Sequence, residues 1–339
     1  MIHIANWLLT RKCNLSCSYC NIVKNYTGMP VEYQPMGYYH KNEMTTEIVL
    51  RNLAILKKHN PNMFHIFYGG EPMLRDDLSE IIDYCNTNGV FYTIISNNSD
   101  GVQDRIEKLF NDVKVMGFTS SVDPVYDEDG DDDRLIKSRL ALQRLKTIKE
   151  KYPETDVVAE ITCTKTNVHN LYRLVKELSE NQIHSSITFV DPAKNLSYDF
   201  SNVVGNDMLV TKDEVKDQFK LIMEDDKISN FIHMRDTLLP KIFEILPSNY
   251  DCEMEKGVHN ITIDADGRVR LCLRIRGVAS QLLHVEDCFT EIGDISKQYQ
   301  NMICIDKQNH CERCNWSCPA MSSIVENDRL SLNNLTHNR

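Results

Sequence analysis

Residues 11–21, RKCNLSCSYCN, place Cys13, Cys17 and Cys20 within eight positions near the start of the chain. Thiolates favour zinc or iron–sulfur clusters. A structural zinc site closes on four ligands, and so does an ordinary four-iron cluster. Three thiolates with no fourth Cys or His nearby give three irons of a cubane a protein ligand and leave the fourth iron open to a small molecule. The alternative is a zinc site completed by His3 or by a distant residue.

Other polar segments close apolar runs. FYGGEP (67–72) sets Gly69, Gly70, Glu71 and Pro72 behind an apolar stretch, and the paired glycines permit close backbone approach and unusual dihedrals. IISNNSD (94–100) offers Ser96 and Asn97, and SSVD (120–123) offers Ser121 and Asp123; helix capping explains these short polar segments about as well as ligand binding does. A second group of cysteines lies far along the chain: Cys252, Cys272, Cys311, Cys314 and Cys318, with Cys288 and Cys304 weaker candidates for metal ligation. Cys85 falls on a helical apolar stripe and Cys163 alternates with Val157 and Ile161, so both read as core.

These residues need elements to hold them. Strand-like runs at 2–10, 63–68, 90–96, 113–119, 155–164 and 186–190 alternate with helix-like runs near 45–59, 76–88, 102–110, 133–151, 168–181 and 211–225. The first helix aligns Val49, Leu53 and Leu56, and the second aligns Leu78, Ile81, Ile82 and Cys85. The sixth opens on the capping box formed by Thr211 and Glu214. Six strand–helix units predict an α/β fold, a partial (βα)6 TIM-like barrel, with chemistry at the C-terminal ends of its strands. Cys13, Glu71, Asn97 and Asp123 all follow such ends. After about residue 250 the pattern changes. HNITIDADGRVRLCLRI (259–275) alternates around Asp266-Gly267 as a β-hairpin does. The expected divisions are a barrel core over 1–245, a small hairpin and helix iron–sulfur module over 246–325, and a polar tail over 326–339.

The C-x3-C-x2-C triplet resembles the signature of radical S-adenosylmethionine (SAM) enzymes, and GGEP resembles that family's motif at the end of the second strand. The resemblance implies a SAM-binding [4Fe-4S] cluster on Cys13, Cys17 and Cys20. Its open iron would be chelated by the amino and carboxylate groups of SAM. Reductive cleavage would then release a 5′-deoxyadenosyl radical, which abstracts hydrogen from a substrate C–H bond. It also implies SAM contacts from Tyr19 (main chain to adenine), Gly69, Gly70, Glu71 (accepting from the ammonium group), Pro72, Ser96, Asn97, Ser121 and Asp123. Cys252, Cys272, Cys311 and Cys314 resemble the SPASM/twitch extension, which implies an auxiliary [4Fe-4S] cluster. Cys318 is a possible substitute ligand, because the C-x2-C-x3-C spacing departs from the longer two-cluster form. Family members with such extensions modify peptides and proteins or oxidise small alcohols and sugars. A peptide or protein side chain is the expected substrate here, with a small alcohol or sugar as the alternative, and a flavodoxin or ferredoxin as the electron donor. The triplet starts only a dozen residues in, so a separate N-terminal peptide-recognition domain is not expected, although a partner protein could supply one.

Composition narrows the classes. The chain has 339 residues, 42% hydrophobic and 26% charged, enough for a full core. A net charge of -11 argues against a broad nucleic-acid surface. No run spans a membrane, and MIHIANWLLTRKC lacks the features of a signal peptide, so a cytoplasmic protein is expected. Its 12 cysteines then read as ligands or core residues rather than disulfides. A non-catalytic iron–sulfur carrier or zinc-stapled scaffold is the competing class, but neither needs GGEP at a strand end. DEDGDDD (127–133) reads as a solvated acidic loop rather than a calcium site. Tyr26, Tyr33, Tyr38 and Tyr39 lie in an insertion after the triplet, where they either cover a substrate or pack on the surface. Glu160 and Thr162 alternate opposite Val157, Ala159 and Ile161 and are candidates to face the barrel interior.

Overall fold

A computed structural model describes residues 3–15, 17, 43–126, 133–190, 208–232, 260–270 and 284–290. Tyr19, Cys20, the insertion tyrosines, Cys252, Cys272, Cys304, Cys311, Cys314, Cys318, the expected boundary at 245/246 and the polar tail lie outside them.

Six strand–helix units follow one another: β1 (Ile4–Leu8), α1 (Thr46–His59), β2 (Phe64–Tyr68), α2 (Leu78–Thr87), β3 (Phe91–Ser96), α3 (Gln103–Asp112), β4 (Gly117–Ser121), α4 (Asp133–Lys151), β5 (Asp156–Cys163), α5 (Leu171–Glu180), β6 (His184–Phe189) and α6 (Lys212–Glu224). A short helix α7 (Asp226–Ser229), strands β7 (Asn260–Ile263) and β8 (Val269–Arg270), and helix α8 (Val285–Thr290) complete the described elements. The sheet order is β6-β5-β4-β3-β2-β1-β7-β8. Each of β1 to β6 runs parallel to its neighbour, β7 runs parallel to β1, and only β8 is antiparallel. This is the open, curled half-barrel expected of the strand–helix repeat.

Alternation on each strand sorts the two faces. Ala5, Trp7, Phe67, Tyr92, Ile94, Phe118, Val157, Ala159, Ile161 and Cys163 are fully or almost fully buried against the helices. The helices answer with stripes at the expected positions, Val49, Leu53 and Leu56 on α1 and Leu78, Ile81, Ile82 and Cys85 on α2, and α5 adds Leu171, Leu174, Val175 and Leu178. The α6 capping box forms as read, with Thr211 Oγ1 accepting from the Glu214 amide and the Glu214 carboxylate accepting from the Thr211 amide at 2.7 Å. Cys85 and Cys163 are core residues, and burial pushes the Cys85 thiol up to about 12. In the same layer the Trp7 indole donates to His65 Nδ1 at 2.9 Å, and burial pushes the His65 imidazole down to about 3.

Two elements differ from the sequence pattern. The run 113–119 begins as a connector, and β4 starts only at Gly117. The carbonyls of Lys114 and Val115 accept from the side chains of Asn86, Tyr92 and Thr155, so they are taken before the strand ladder reaches them. The hairpin around Asp266-Gly267 forms, with Gly267 at φ +86°, the left-handed conformation such a turn requires. Its first strand does not stand apart, however: Ile4 to Trp7 pair with Asn260 to Ile263, extending the barrel sheet beyond β1.

Candidate functional site

The C-terminal ends of β1, β2 and β3 are joined by one hydrogen-bonded seam. The β1–β2 ladder continues past both strands: the amide of Leu9 donates to Tyr68 O (2.8 Å), that of Gly70 to Thr10 O (2.8 Å), and that of Glu71 to Lys12 O (2.7 Å). The segment entering the cysteine loop therefore lies directly on GGEP. A Cβ at Gly69 would collide with the Thr10 carbonyl, and one at Gly70 with the Lys12 carbonyl. The chain's own backbone thus supplies a reason for both glycines.

Glu71 is fully buried. Its carboxylate accepts from the Met73 amide (3.0 Å), the Ser96 hydroxyl (3.0 Å) and the Asn97 amide (2.7 Å). The first contact caps the short turn Pro72–Leu74, and the other two fasten the end of β2 to that of β3. The role expected for Glu71 was contact with an ammonium group; the side chain is engaged first by the protein.

From Asn97 the seam returns to the cysteines. Asn97 Nδ2 donates to Asn14 Oδ1 (2.9 Å) and lies 4.0 Å from the Cys13 sulfur, and Asn97 Oδ1 accepts from the Ser99 amide (3.0 Å). Asn14 Nδ2 donates to the Ser99 hydroxyl (2.8 Å), and the Leu15 amide points at Cys13 Sγ (3.5 Å). Asn98 turns the chain here at φ +50°, with its side-chain amide donating to Ala141 O (3.2 Å). Cys13 and Cys17 are both half-buried. Soft sulfur donors at a strand end, with N–H groups directed at one of them, fit a thiolate-ligated cluster. Among the described residues no three His, Cys, Asp or Glu side chains converge on a metal site, and Cys20 lies outside those residues.

The fourth strand end is separate from this seam. Ser121 is half-buried and registers with Glu160. Asp123 is buried, and its amide donates to Ser138 Oγ (2.9 Å). On β5, Glu160 and Thr162 are half-buried between buried neighbours, which places them on the face away from the helices. Burial pushes the Glu160 carboxyl up to about 7, opposed by hydrogen bonds from the Ser186 and Thr188 hydroxyls of β6. Thr93 and Thr119 pair through their hydroxyls on that same face (3.0 Å).

Sequence reading missed several residues. Glu43 accepts from the Arg11 amide (2.8 Å) and the Thr10 hydroxyl (3.0 Å), and Arg75 donates to Leu9 O (2.9 Å) and Met44 O. Arg11 and Asp264 form a buried ion pair. For Asp264 the signal was available, since it directly follows β7 with its alternating Ile261 and Ile263, and Glu71 and Asp123 likewise lie just past strand ends. For Glu43 and Arg75 no spacing pointed to the partner.

Similar proteins sharpen the reading. A model of the Radical SAM superfamily matches residues 7–197. The chain is 29% identical to PqqA peptide cyclase of Xanthomonas oryzae pv. oryzae (strain MAFF 311018) over 101 residues, 30% of this chain and 24% of that protein. It is 27% identical to Fe-coproporphyrin III synthase of Methanosarcina barkeri (strain Fusaro / DSM 804) over 179 residues, 52% of this chain and 41% of that protein. The matches thus span about a quarter to two-fifths of the length of these relatives. Streptococcus suis SuiB bound to S-adenosylmethionine superposes with a TM-score of 0.60 at 14% identity, over 88% of this chain and 65% of that one. Native anSMEcpe with bound AdoMet and Cp18Cys peptide superposes with a TM-score of 0.56 at 15% identity, over 99% of each chain. At these identities the superpositions establish the fold. The family match covers more than half of the chain and includes every strand end that enters the seam, and on that basis this protein belongs to the Radical SAM superfamily.

Proposed function

We propose that this radical SAM enzyme modifies a peptide or protein side chain. Cys13, Cys17 and Cys20 would hold a [4Fe-4S] cluster with one open iron for SAM. When bound, that pair supplies a 5′-deoxyadenosyl radical able to abstract hydrogen from a substrate C–H bond. The chain's own work is positioning. Asn14, Asn97 and Ser99 fix the cysteine loop against β3, while Gly69, Gly70 and Glu71 fix it against β2. The single observation that carries this reading is that the start of the cysteine loop (residues 12–14), GGEP and the β3 end form one hydrogen-bonded unit around the buried Glu71. A zinc staple or an electron carrier gains nothing from such a connection to a strand end across the sheet. A peptide substrate is supported by the relatives, one a peptide cyclase and another holding a peptide beside AdoMet.

A second, auxiliary [4Fe-4S] cluster on Cys252, Cys272, Cys311 and Cys314, with Cys318 as the possible substitute ligand, belongs to the same proposal. So does a flavodoxin or ferredoxin as the reductant. Among the described residues no helix is long and apolar enough to cross a membrane. The test is reductive SAM cleavage by anaerobically reconstituted protein. Changing Cys13, Cys17 and Cys20 together to Ala should abolish 5′-deoxyadenosine formation while sparing the C-terminal iron; undiminished cleavage would overturn the assignment. For the substrate class, a short peptide encoded beside the gene should change in mass under turnover. If such a peptide emerges unaltered while a small alcohol is oxidised, the substrate class is wrong.

A further inference from the structure

The ion pair between Arg11 and Asp264 lies where two parts of the chain meet. Arg11 is two residues before Cys13, and Asp264 is eight residues before Cys272. Arg11 is 1% exposed and Asp264 0%. The pair spans the junction of β1 and β7, whose parallel pairing ends at Trp7 and Ile263. Asp264 is itself held in place: Oδ1 also accepts from the Ala265 amide (2.8 Å), and its own amide donates to Arg268 O (2.8 Å). Around the pair the backbone is clamped twice more, by Glu43 on the Arg11 amide and by the Met44 amide on Ala265 O (2.7 Å). The entry to the cysteine loop, the re-entry at 43–44 and the turn of the hairpin therefore meet at one point.

A buried pair of this kind adds little net stability, because desolvating both charges offsets their attraction, and apolar residues of similar volume often serve as well. What a guanidinium–carboxylate contact does supply is directional geometry. We infer that Arg11 and Asp264 are positioning residues: they make the cysteine loop and the β7–β8 hairpin one mechanical unit, so that SAM binding at the loop and the ordering of the hairpin are coupled. The inference rests on the proposed SAM site, and it deepens that reading by tying the site to the segment that leads to Cys272. Coupling is reciprocal. SAM must therefore stabilise the hairpin by the factor with which the hairpin favours SAM.

The deciding comparison is the double variant Arg11→Met/Asp264→Leu, which removes both charges and keeps most of the volume. Expected results are a melting temperature near that of the wild type, SAM affinity lower by about five- to a hundredfold, and loss of the SAM-induced slowing of amide exchange over 260–270. The EPR spectrum of the reduced cluster should also respond less to SAM. Wild-type affinity together with wild-type exchange in the double variant would overturn the inference and leave the pair as packing. If the double variant does not fold, Arg11→Lys decides: it keeps the charge but loses the planar fork, and wild-type SAM affinity there overturns the inference equally. Failure of the SAM assignment is separable. In the iron-free chain, where no SAM is needed, the double variant should still accelerate exchange at 9–15 and leave β3 unchanged; equal exchange at 9–15 refutes the coupling on its own.

Discussion

Glu71→Gln tests the seam directly. The native carboxylate is fully buried and accepts three hydrogen bonds, two on Oε1 and one on Oε2. A glutamine fits the same space but has one oxygen. Its best orientation keeps that oxygen on the Met73 amide and the Ser96 hydroxyl, and turns its NH2 toward the Asn97 amide. Two charge-assisted bonds then become neutral ones, each weaker by about 1 kcal/mol, and one buried N–H loses its acceptor at about 1–3 kcal/mol. The sum is about 3–5 kcal/mol. At an unfolding entropy of about 2.1 cal/mol/K per residue, a chain of 339 residues shifts by about 1.4 °C per kcal/mol, so the melting temperature should fall by roughly 4–7 °C, read by circular dichroism or calorimetry on the iron-free chain. SAM affinity should fall as well, because Asn97 and Asn14 hold the cysteine loop. A variant that melts like the wild type yet binds SAM tenfold more weakly would refute this reasoning and make Glu71 a simple ligand contact.

Gly70→Ala places a methyl group on the Lys12 carbonyl, so it should prevent cluster assembly while leaving the far strands folded, as read by iron content beside far-UV circular dichroism. His65 is neutral in the folded state, with Nδ1 accepting from Trp7 and its pKa pushed down to about 3. Between that value and the unfolded value near 6.5 the unfolded chain binds the extra proton, so stability is lost as pH falls through this window, by up to about 5 kcal/mol. Urea unfolding of the wild type and of His65→Gln at pH 7 and pH 4.5 checks this, and equal losses in both would refute it. Iron analysis after anaerobic reconstitution should give about eight irons per chain for two four-iron clusters; about twelve would require a second auxiliary cluster, and about four would mean that the C-terminal cysteines bind zinc or nothing.

The sheet was legible because each strand–helix unit states its period locally. Val49, Leu53 and Leu56, or Ile81, Ile82 and Cys85, need only one helix to declare their face. The strand ends were legible for the same reason, since GGEP and SNN follow runs that are mostly apolar. What the sequence hides is decided between distant segments. Lys114 and Val115 alternate like a strand, but their carbonyls are claimed by Asn86, Tyr92 and Thr155. Ile261 and Ile263 announce a hairpin without announcing that β1 is its neighbour. Glu71 stands out in the sequence as an acid behind a strand end, yet its three donors come from a turn and from another strand. Asn14 and Ser99 look like ordinary polar loop residues until the fold sets them 2.8 Å apart.

The clamp of Glu43 on Arg11 and Thr10 has an evolutionary consequence. The chain leaves the sheet after Arg11 and returns at Glu43 through points in direct contact, so the span between them begins and ends at one doorway. The entropic cost of joining two fixed points grows slowly with the length of the span, by about 0.6 kcal/mol for each doubling. Residues between the last cysteine of the triplet and Glu43 can therefore be shortened, lengthened or exchanged without altering the register of β1 on β2. Selection can reshape that stretch while the machinery on either side of the doorway stays fixed, and an engineer could use the same two feet as a grafting site.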